Sequence, residues 1–119
     1  MKINKVYIID DNNDDIEIAK ELLKEFEVES SNSIQNGYLD KIESFNPDIV
    51  LVDYRMPPGY GTKAIKEIRE HNKDIPILLL TSMQSKEIVS LAIDAGANGV
   101  LIKDIDMEEL PRKIKFFNK

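Results

Sequence analysis

The chain has 119 residues, of which 42% are hydrophobic, so it is long and apolar enough for one domain with one core. Its 22 acidic and 16 basic side chains give a formal net charge of −6, which argues against direct nucleic-acid binding because phosphate contacts need a basic surface. The sequence has no cysteine, which excludes disulfides, thiol chemistry and cysteine-based zinc sites. We therefore expect a single acidic domain over residues 1–119.

The start of the chain and the length of its apolar runs predict a cytoplasmic protein. Residues 1–5 lead directly into the first apolar run and leave no room for a signal peptide. No apolar run approaches the roughly 18 residues that a membrane-spanning helix needs. We expect no association with a membrane.

Short apolar runs alternate with segments of helical periodicity in the first half of the chain. Residues 6–9 predict a strand, and the apolar spacing that follows predicts a helix with Asn13 or Asp14 as its N-cap. Residues 28–31 predict a short second strand. A second apolar stripe then predicts a second helix, which ends before Pro47. This pattern is typical of successive strand–helix units.

The same alternation continues through the middle of the chain. Residues 49–52 predict a third strand, and the prolines and glycines of residues 56–61 predict a loop. Thr62 is the expected N-cap of a third helix. Residues 77–80 predict a fourth strand, so the order of elements is unchanged here.

The last part of the chain predicts two more helices and one more strand. Ser85 marks the start of a fourth helix, and Gly96 is its expected C-terminal stop. Residues 100–102 predict the fifth strand, and Asp106 is the expected N-cap of the last helix. Pro111 lies deep for a proline of the first turn, which predicts a late start or a bend in that helix.

Five strands and five helices in strict alternation predict an α/β fold. The expected architecture is a five-stranded, parallel, doubly wound sheet with helices on both faces, which makes a three-layer sandwich. Such sheets bind their ligands at the carboxyl ends of the strands. We therefore expect the functional site at that edge of the sheet.

Polar residues follow four of the predicted strands at the point where each strand ends. Asp10 and Asp11 follow the first strand, Asp53 the third, Thr81 the fourth and Lys103 the fifth. Each residue alone has an ordinary explanation as a helix cap, a turn residue or a solvated lysine. Because the carboxyl ends of parallel strands share one edge, the coincidence of all four favours a common site.

The residue types in this predicted site are those that phosphoryl chemistry needs. The carboxylates of Asp10, Asp11 and Asp53 suit a hard divalent cation, Mg²⁺ in the first place and Mn²⁺ as the alternative. With its charge screened by such an ion, Asp53 could attack phosphorus and become an aspartyl phosphate. Thr81 and Lys103 could then pair with the phosphoryl oxygens.

The chain resembles the receiver domain of bacterial two-component response regulators along its whole length. The matching segments are Ile9-Asp10-Asp11, Val52-Asp53-Tyr54-Arg55-Met56-Pro57 with Gly61, Leu80-Thr81-Ser82, Ala95-Gly96-Ala97 and Ile102-Lys103. The resemblance implies the flavodoxin-like (βα)5 receiver fold.

The resemblance also assigns roles to the residues of the site. Asp53 matches the phosphoacceptor, and Asp10 and Asp11 match the metal-binding acidic pair. The backbone carbonyl of Arg55 matches a further protein ligand of Mg²⁺. Two more residues match switch positions of the family, namely the hydroxyl of Thr81 and the phosphate-pairing ammonium of Lys103.

The resemblance implies a signalling role and no turnover of outside substrates, so the protein is not expected to be an enzyme in the usual sense. A sensor histidine kinase or a histidine phosphotransfer protein would supply the phosphoryl group, which Asp53 would later lose by hydrolysis. The readout would be the face built by the fourth helix, the fifth strand and the fifth helix. A downstream protein, a fused output domain or a phosphorylation-dependent second copy would bind there.

Two residues depart from the family pattern. Val100 occupies a switch position where the family usually has an aromatic residue, and Asp104 follows Lys103 where the family commonly has proline. Both departures favour an alternative, in which the chain is a pseudo-receiver that binds partners without phosphorylation. An aspartyl phosphatase is disfavoured, because Arg55 occupies the position where such enzymes carry a general acid.

Overall fold

A five-stranded parallel sheet forms the centre of the computed structural model, which describes residues 2–35 and 37–118. A two-stranded antiparallel ribbon overlaps the segment predicted as a loop and begins one residue before it. In chain order the strands are β1 (Lys5–Ile9), β2 (Glu27–Ser31), β3 (Ile49–Asp53), β4 (Arg55–Met56), β5 (Gly59–Tyr60), β6 (Ile77–Thr81) and β7 (Gly99–Ile102). The large sheet has the order β2-β1-β3-β6-β7, and the ribbon consists of β4 and β5.

Helices follow the sheet strands, as the alternation predicted. They are α1 (Asn13–Leu22), α2 (Tyr38–Phe45), α3 (Gly61–His71), α4 (Lys86–Ala95), α5 (Lys103–Asp106) and α6 (Leu110–Lys115). A 3₁₀ turn over Met107–Glu109 separates α5 from α6. Pro111 lies in the first turn of α6, where a missing N–H costs little, so the predicted late start of the last helix is confirmed.

The core has two parts, one on each face of the sheet. One face packs against α2, α3 and α4, and the other packs against α1 and α6. In β3 every residue is buried, because alternate side chains enter the two halves of the core. Each fully buried aliphatic side chain there contributes roughly 1.5–3 kcal/mol to stability. The predicted three-layer, doubly wound α/β fold is confirmed.

Helix caps differ from the predictions at the first and third helices. The N-cap of α1 is Asn12, whose Oδ1 accepts the backbone N–H groups of Asp14 (2.9 Å) and Asp15 (3.1 Å). The predicted caps Asn13 and Asp14 were wrong. The helix begins one or two residues earlier than predicted, so the residue whose side chain can reach the free N–H groups of the first turn is Asn12. Tyr60 precedes α3 without a side-chain cap, so the prediction of Thr62 was also wrong.

The caps predicted for α4 are confirmed, whereas that for the last helix is not. Ser85 accepts the N–H of Ile88, and Gly96 ends the helix with φ 115°, a conformation that favours glycine. Asp106 instead folds back, and its Oδ2 accepts the N–H of Ile102 at 2.7 Å.

Two further findings concern the backbone. Among the described residues the only cis peptide bond joins Pro57 and Pro58, so the bond between Lys103 and Asp104 is trans. Over residues 2–35 and 37–118, no helix combines the length and the apolarity that crossing a membrane requires.

Candidate functional site

The register of the parallel sheet brings the predicted site residues to its carboxyl edge. Asp53, the last residue of β3, pairs with Leu80 of β6, so Thr81 lies one residue further along the neighbouring strand. Asp10 directly follows β1, whose last residue pairs with Val52. Asp10, Asp53 and Thr81 are all buried, although burial of polar groups is costly. These three buried polar side chains therefore need hydrogen-bonding or charged partners at the carboxyl edge.

Three carboxylates converge at this edge. One oxygen from each of Asp10, Asp11 and Asp53 lies within 4.8 Å of the others. Asp11 is exposed, whereas Asp10 is anchored by the N–H of Asn12, which it accepts at 3.0 Å. An all-oxygen donor set of this kind fits a hard divalent cation.

The ammonium group of Lys103 lies among carboxylates. Its Nζ is 2.9 Å from Asp10 Oδ2, 2.9 Å from Asp15 Oδ2 and 3.0 Å from Asp53 Oδ1. Burial by itself lowers the pKa of Lys103, but the hydrogen bonds to these carboxylates outweigh it, and the pKa is raised above its ordinary value. Lys103 therefore carries a full positive charge at any physiological pH.

The two buried carboxyl groups hold their protons more tightly than exposed ones. Burial raises the pKa of Asp53 to about 6, with Asp10 and Asp11 adding to the effect and Lys103 opposing it. Burial also raises the pKa of Asp10, against hydrogen bonds from Asn12 and Lys103. The carboxylates of Asp10, Asp11 and Asp53 also outnumber the one ammonium of Lys103, so a second cation at this edge would be stabilised.

An open groove gives access to these groups. Its volume is about 650 Å³, and its walls include Asp53, Thr81 and Lys103 together with Arg55 and Met83. Thr81 Oγ1 accepts the N–H of Met83 at 3.1 Å, so its own hydroxyl proton is left to donate elsewhere. A small anionic group could enter the groove and meet Lys103 and Thr81 together.

The loop after Asp53 is held by main-chain contacts. Tyr54 donates its N–H to Leu80 at 2.8 Å and accepts the N–H of Gly61 at 2.7 Å, and its ring stacks on Tyr60 with the centroids 5.0 Å apart. A Cβ on Gly61 would lie 2.1 Å from the backbone oxygen of Asp53, so only glycine fits. The backbone that carries Asp53 is therefore closely constrained.

The structure brings together Asp10, Asp11, Asp53, Thr81 and Lys103, and it places Arg55 at the rim of the same groove. Val100 does not line this groove; it pairs with Leu79 and packs, half-buried, against the core on the α4 side.

Sequence reasoning missed Asp15 as a partner of Lys103. A usable signal was present, because side chains in a first turn lean toward the N-terminus of the helix and thus toward the strand that precedes it.

A doubly wound parallel sheet with an acid pair, a further aspartate, a hydroxyl and a lysine at its carboxyl edge defines the class of receiver-like domains. The model of the response regulator receiver domain matches residues 6–115. The chain belongs to this family.

Individual relatives agree with this assignment. Regulatory protein AtoC of Escherichia coli (strain K12) is 34% identical over 110 residues, which cover 91% of this chain and 24% of AtoC. Chemotaxis protein CheY of Halobacterium salinarum is 31% identical over 101 residues, covering 83% of each protein. The crystal structure of chemotaxis protein CheY4 of Vibrio cholerae superposes with a TM-score of 0.85 at 28% identity, covering 96% of this chain and 98% of that one. The chain thus spans about a quarter of AtoC but most of CheY.

Proposed function

We propose that the chain is a phosphoacceptor signalling domain, organised over residues 1–119, that takes a phosphoryl group onto Asp53. The donor is the phosphohistidine of a sensor histidine kinase or of a histidine phosphotransfer protein. The observation that carries the proposal is the position of the Lys103 ammonium, 3.0 Å from Asp53 Oδ1 and beside the buried Asp10. A nucleophilic carboxylate, a neighbouring cation and an adjoining acid pair are what a transfer of this kind requires.

In the proposed step, a carboxylate oxygen of Asp53 attacks phosphorus. The new O–P bond forms as the P–N bond of phosphohistidine breaks, and the imidazole leaves with the electrons of that bond. Lys103 pairs with the phosphoryl oxygens as charge develops on them, and the Thr81 hydroxyl donates to another. Water later hydrolyses the aspartyl phosphate, so the domain is reset without turning over an outside substrate.

The acid pair of this chain fits a Mg²⁺ ion, with Mn²⁺ as an alternative. Asp10, Asp11, Asp53 and the backbone carbonyl of Arg55 would hold it. The oxygen-only donor set and the excess of carboxylates over the one ammonium of Lys103 support this assignment. When bound, the ion neutralises charge on the carboxylates and on the phosphoryl group.

Phosphorylation would be read on the face formed by α4, β7 and α6. The chain spans less than half the length of several relatives that are named transcriptional regulatory proteins, which supports either a fused output domain or a separate downstream protein as partner. A phosphorylation-dependent homodimer would use the same face. A cytoplasmic location, with no membrane contact and no direct nucleic-acid binding by this domain, completes the proposal.

Intact-mass measurement tests the proposal directly. The wild-type protein, Asp53→Asn and Asp14→Asn are incubated with Mg²⁺ and acetyl phosphate, with and without a chelator. The wild type and Asp14→Asn, which lacks only an exposed carboxylate, gain one phosphoryl group, and Asp53→Asn gains none. Folded wild type that gains nothing from an active donor would instead support the pseudo-receiver, which Val100 favours.

A further inference from the structure

We propose that Asp15 is a positioning residue that competes with the phosphoryl group for Lys103. This inference rests on the proposed function, since it concerns how Lys103 becomes free to serve the phosphoryl group at Asp53. Asp15 lies on the first turn of α1 and matches none of the residues expected to bind metal or accept phosphate.

The donors of Lys103 are fully used in the structure. A lysine ammonium has three N–H groups. Three carboxylates take them, with Nζ–O distances of 2.9 Å to Asp10, 2.9 Å to Asp15 and 3.0 Å to Asp53. A phosphoryl oxygen can therefore gain a full hydrogen bond from Lys103 only if one of these three contacts is given up.

Burial identifies the contact that is given up. The side chain of Asp10 is 3% exposed and that of Asp53 is 11% exposed, so water would solvate either carboxylate poorly if Lys103 left it. The side chain of Asp15 is 37% exposed, so water can solvate its carboxylate when Lys103 leaves it. Exchange of Asp15 for a phosphoryl oxygen is therefore the least costly rearrangement.

This exchange affects the two directions of the phosphorylation cycle differently. The contact with Asp15 stabilises the resting state, whereas Lys103 is already on the phosphoryl group in the transition states and in the phosphorylated protein. Removing the carboxylate of Asp15 therefore speeds phosphorylation and leaves hydrolysis of the aspartyl phosphate unchanged. Because Asp15 is partly exposed, we expect an acceleration of about two- to fivefold, the range of a solvent-screened ion pair.

The test compares Asp15→Asn with Asp14→Asn. Both residues lie in the first turn of α1, both donate a backbone N–H to Asn12 Oδ1, and both substitutions remove one negative charge. Only Asp15 contacts Lys103. Asp15→Glu is the conservative variant, since it keeps a carboxylate that can reach the ammonium.

Rates of phosphorylation by acetyl phosphate and of hydrolysis after its removal are measured with Mg²⁺ in excess. Asp15→Asn should phosphorylate two to five times faster than wild type, with unchanged hydrolysis, and should bind beryllofluoride more tightly by the same factor in fluorine NMR. Asp14→Asn and Asp15→Glu should match the wild type in all three measurements.

Four results would overturn the inference. Asp15→Asn with wild-type rates would show that the contact does not compete, and slowing of both steps would make Asp15 an aid to catalysis. Equal acceleration in Asp14→Asn would reduce the effect to general charge. A wild type that accepts no phosphoryl group would remove the proposed function itself and the exchange with it.

Discussion

Two half-buried cations lie at opposite edges of the sheet and are held by different kinds of acceptor. Lys103, at the carboxyl edge, is bonded to carboxylates. Arg69 of α3, at the amino edge, is bonded to uncharged oxygens: Gly96 O at 2.8 Å, Ile75 O at 2.6 Å, Asn72 O at 3.2 Å and Asn98 Oδ1 at 2.8 Å.

The difference separates a cation that fixes the fold from one that can change partners. Burial lowers the pKa of Arg69, because carbonyl dipoles replace water less completely than carboxylates do. Its acceptors are main-chain oxygens and Asn98 Oδ1, which also accepts the N–H of Ile77. Because these oxygens are parts of the folded backbone and its loops, a solute would have to unfold that edge to replace them. The acceptors of Lys103 are anionic side chains, with which another anion can compete.

The largest expected change in the free energy of unfolding comes from a substitution at Gly61, whose backbone lies against that of Asp53 at the carboxyl edge. Gly61→Ala sets a Cβ 2.1 Å from the backbone oxygen of Asp53 and 2.8 Å from Val52 Cγ1, and neither atom is a flexible chain end. We expect a loss of about 3 kcal/mol or more in the free energy of unfolding, measured by urea denaturation.

Gly59→Ala is the matched substitution, because nothing lies within 4 Å of its added Cβ. Its stability should stay near that of the wild type. Equal stability of the two variants would show that the backbone at Asp53 can shift to accommodate the added Cβ at little cost. The backbone of the carboxyl edge would then be no more fixed than its side chains.

The amino edge is tested by Arg69→Met, which keeps much of the aliphatic stem and removes every donor. The acceptors of Gly96 and Ile75 lose their partner, so we expect a loss of about 2–3 kcal/mol in the free energy of unfolding. The loss should be the same at pH 5 and pH 7, because neither acceptor titrates.

Phosphorylation of Arg69→Met should proceed at the wild-type rate. Lys66→Met, on the exposed side of the same helix, should change the free energy of unfolding little. A large fall in phosphorylation rate in folded Arg69→Met would mean that the two edges are coupled and that Arg69 is more than a fixed part of the fold.

The smallest expected change in the free energy of unfolding comes from the negative charge of Asp53 when no metal ion is bound. The pKa of Asp53 is about 6 in the folded protein against an ordinary 3.8, so the folded state binds the proton more tightly. Stability from this group is therefore lost as pH rises from about 4 to 6. Asp53→Asn should be more stable than the wild type by about 1–2 kcal/mol at pH 7 and equal to it near pH 4, measured by urea denaturation in chelator.

Asp14→Asn is the matched control, since it removes the same kind of group from an exposed position. A constant difference between Asp53→Asn and the wild type across this pH range would mean that Lys103 fully compensates Asp53. The charge of Asp53 would then add no pH dependence to the free energy of unfolding, as we expect for the contacts of Arg69 at the amino edge.

The sequence predicted the carboxyl edge well because parallel strands constrain it. Asp10, Asp53, Thr81 and Lys103 each end or follow a strand, and the register of those strands leaves them no other place. Asp15 was missed because its contact with Lys103 depends on how α1 packs on the sheet as well as on the lean of first-turn side chains toward the preceding strand.

The amino edge was not predicted at all, and for the same physical reason. Arg69 looks like any charged residue of an amphipathic helix, and its acceptors lie in two loops, one after α3 and one after α4. The predicted N-cap of α1 was wrong by one or two residues, because Asn12, Asn13 and Asp14 are consecutive polar residues that can each cap a helix.

The separation along the chain of the groups that Lys103 joins has a consequence for folding. The hydrogen bond from Lys103 to Asp10 spans 93 positions, and β7 is the last strand of the sheet. During synthesis the acidic groups are therefore made long before the ammonium that pairs with them leaves the ribosome. Docking of β7 completes the sheet and brings Lys103 to the carboxylates in one event, so the site is assembled only when folding of the sheet is finished.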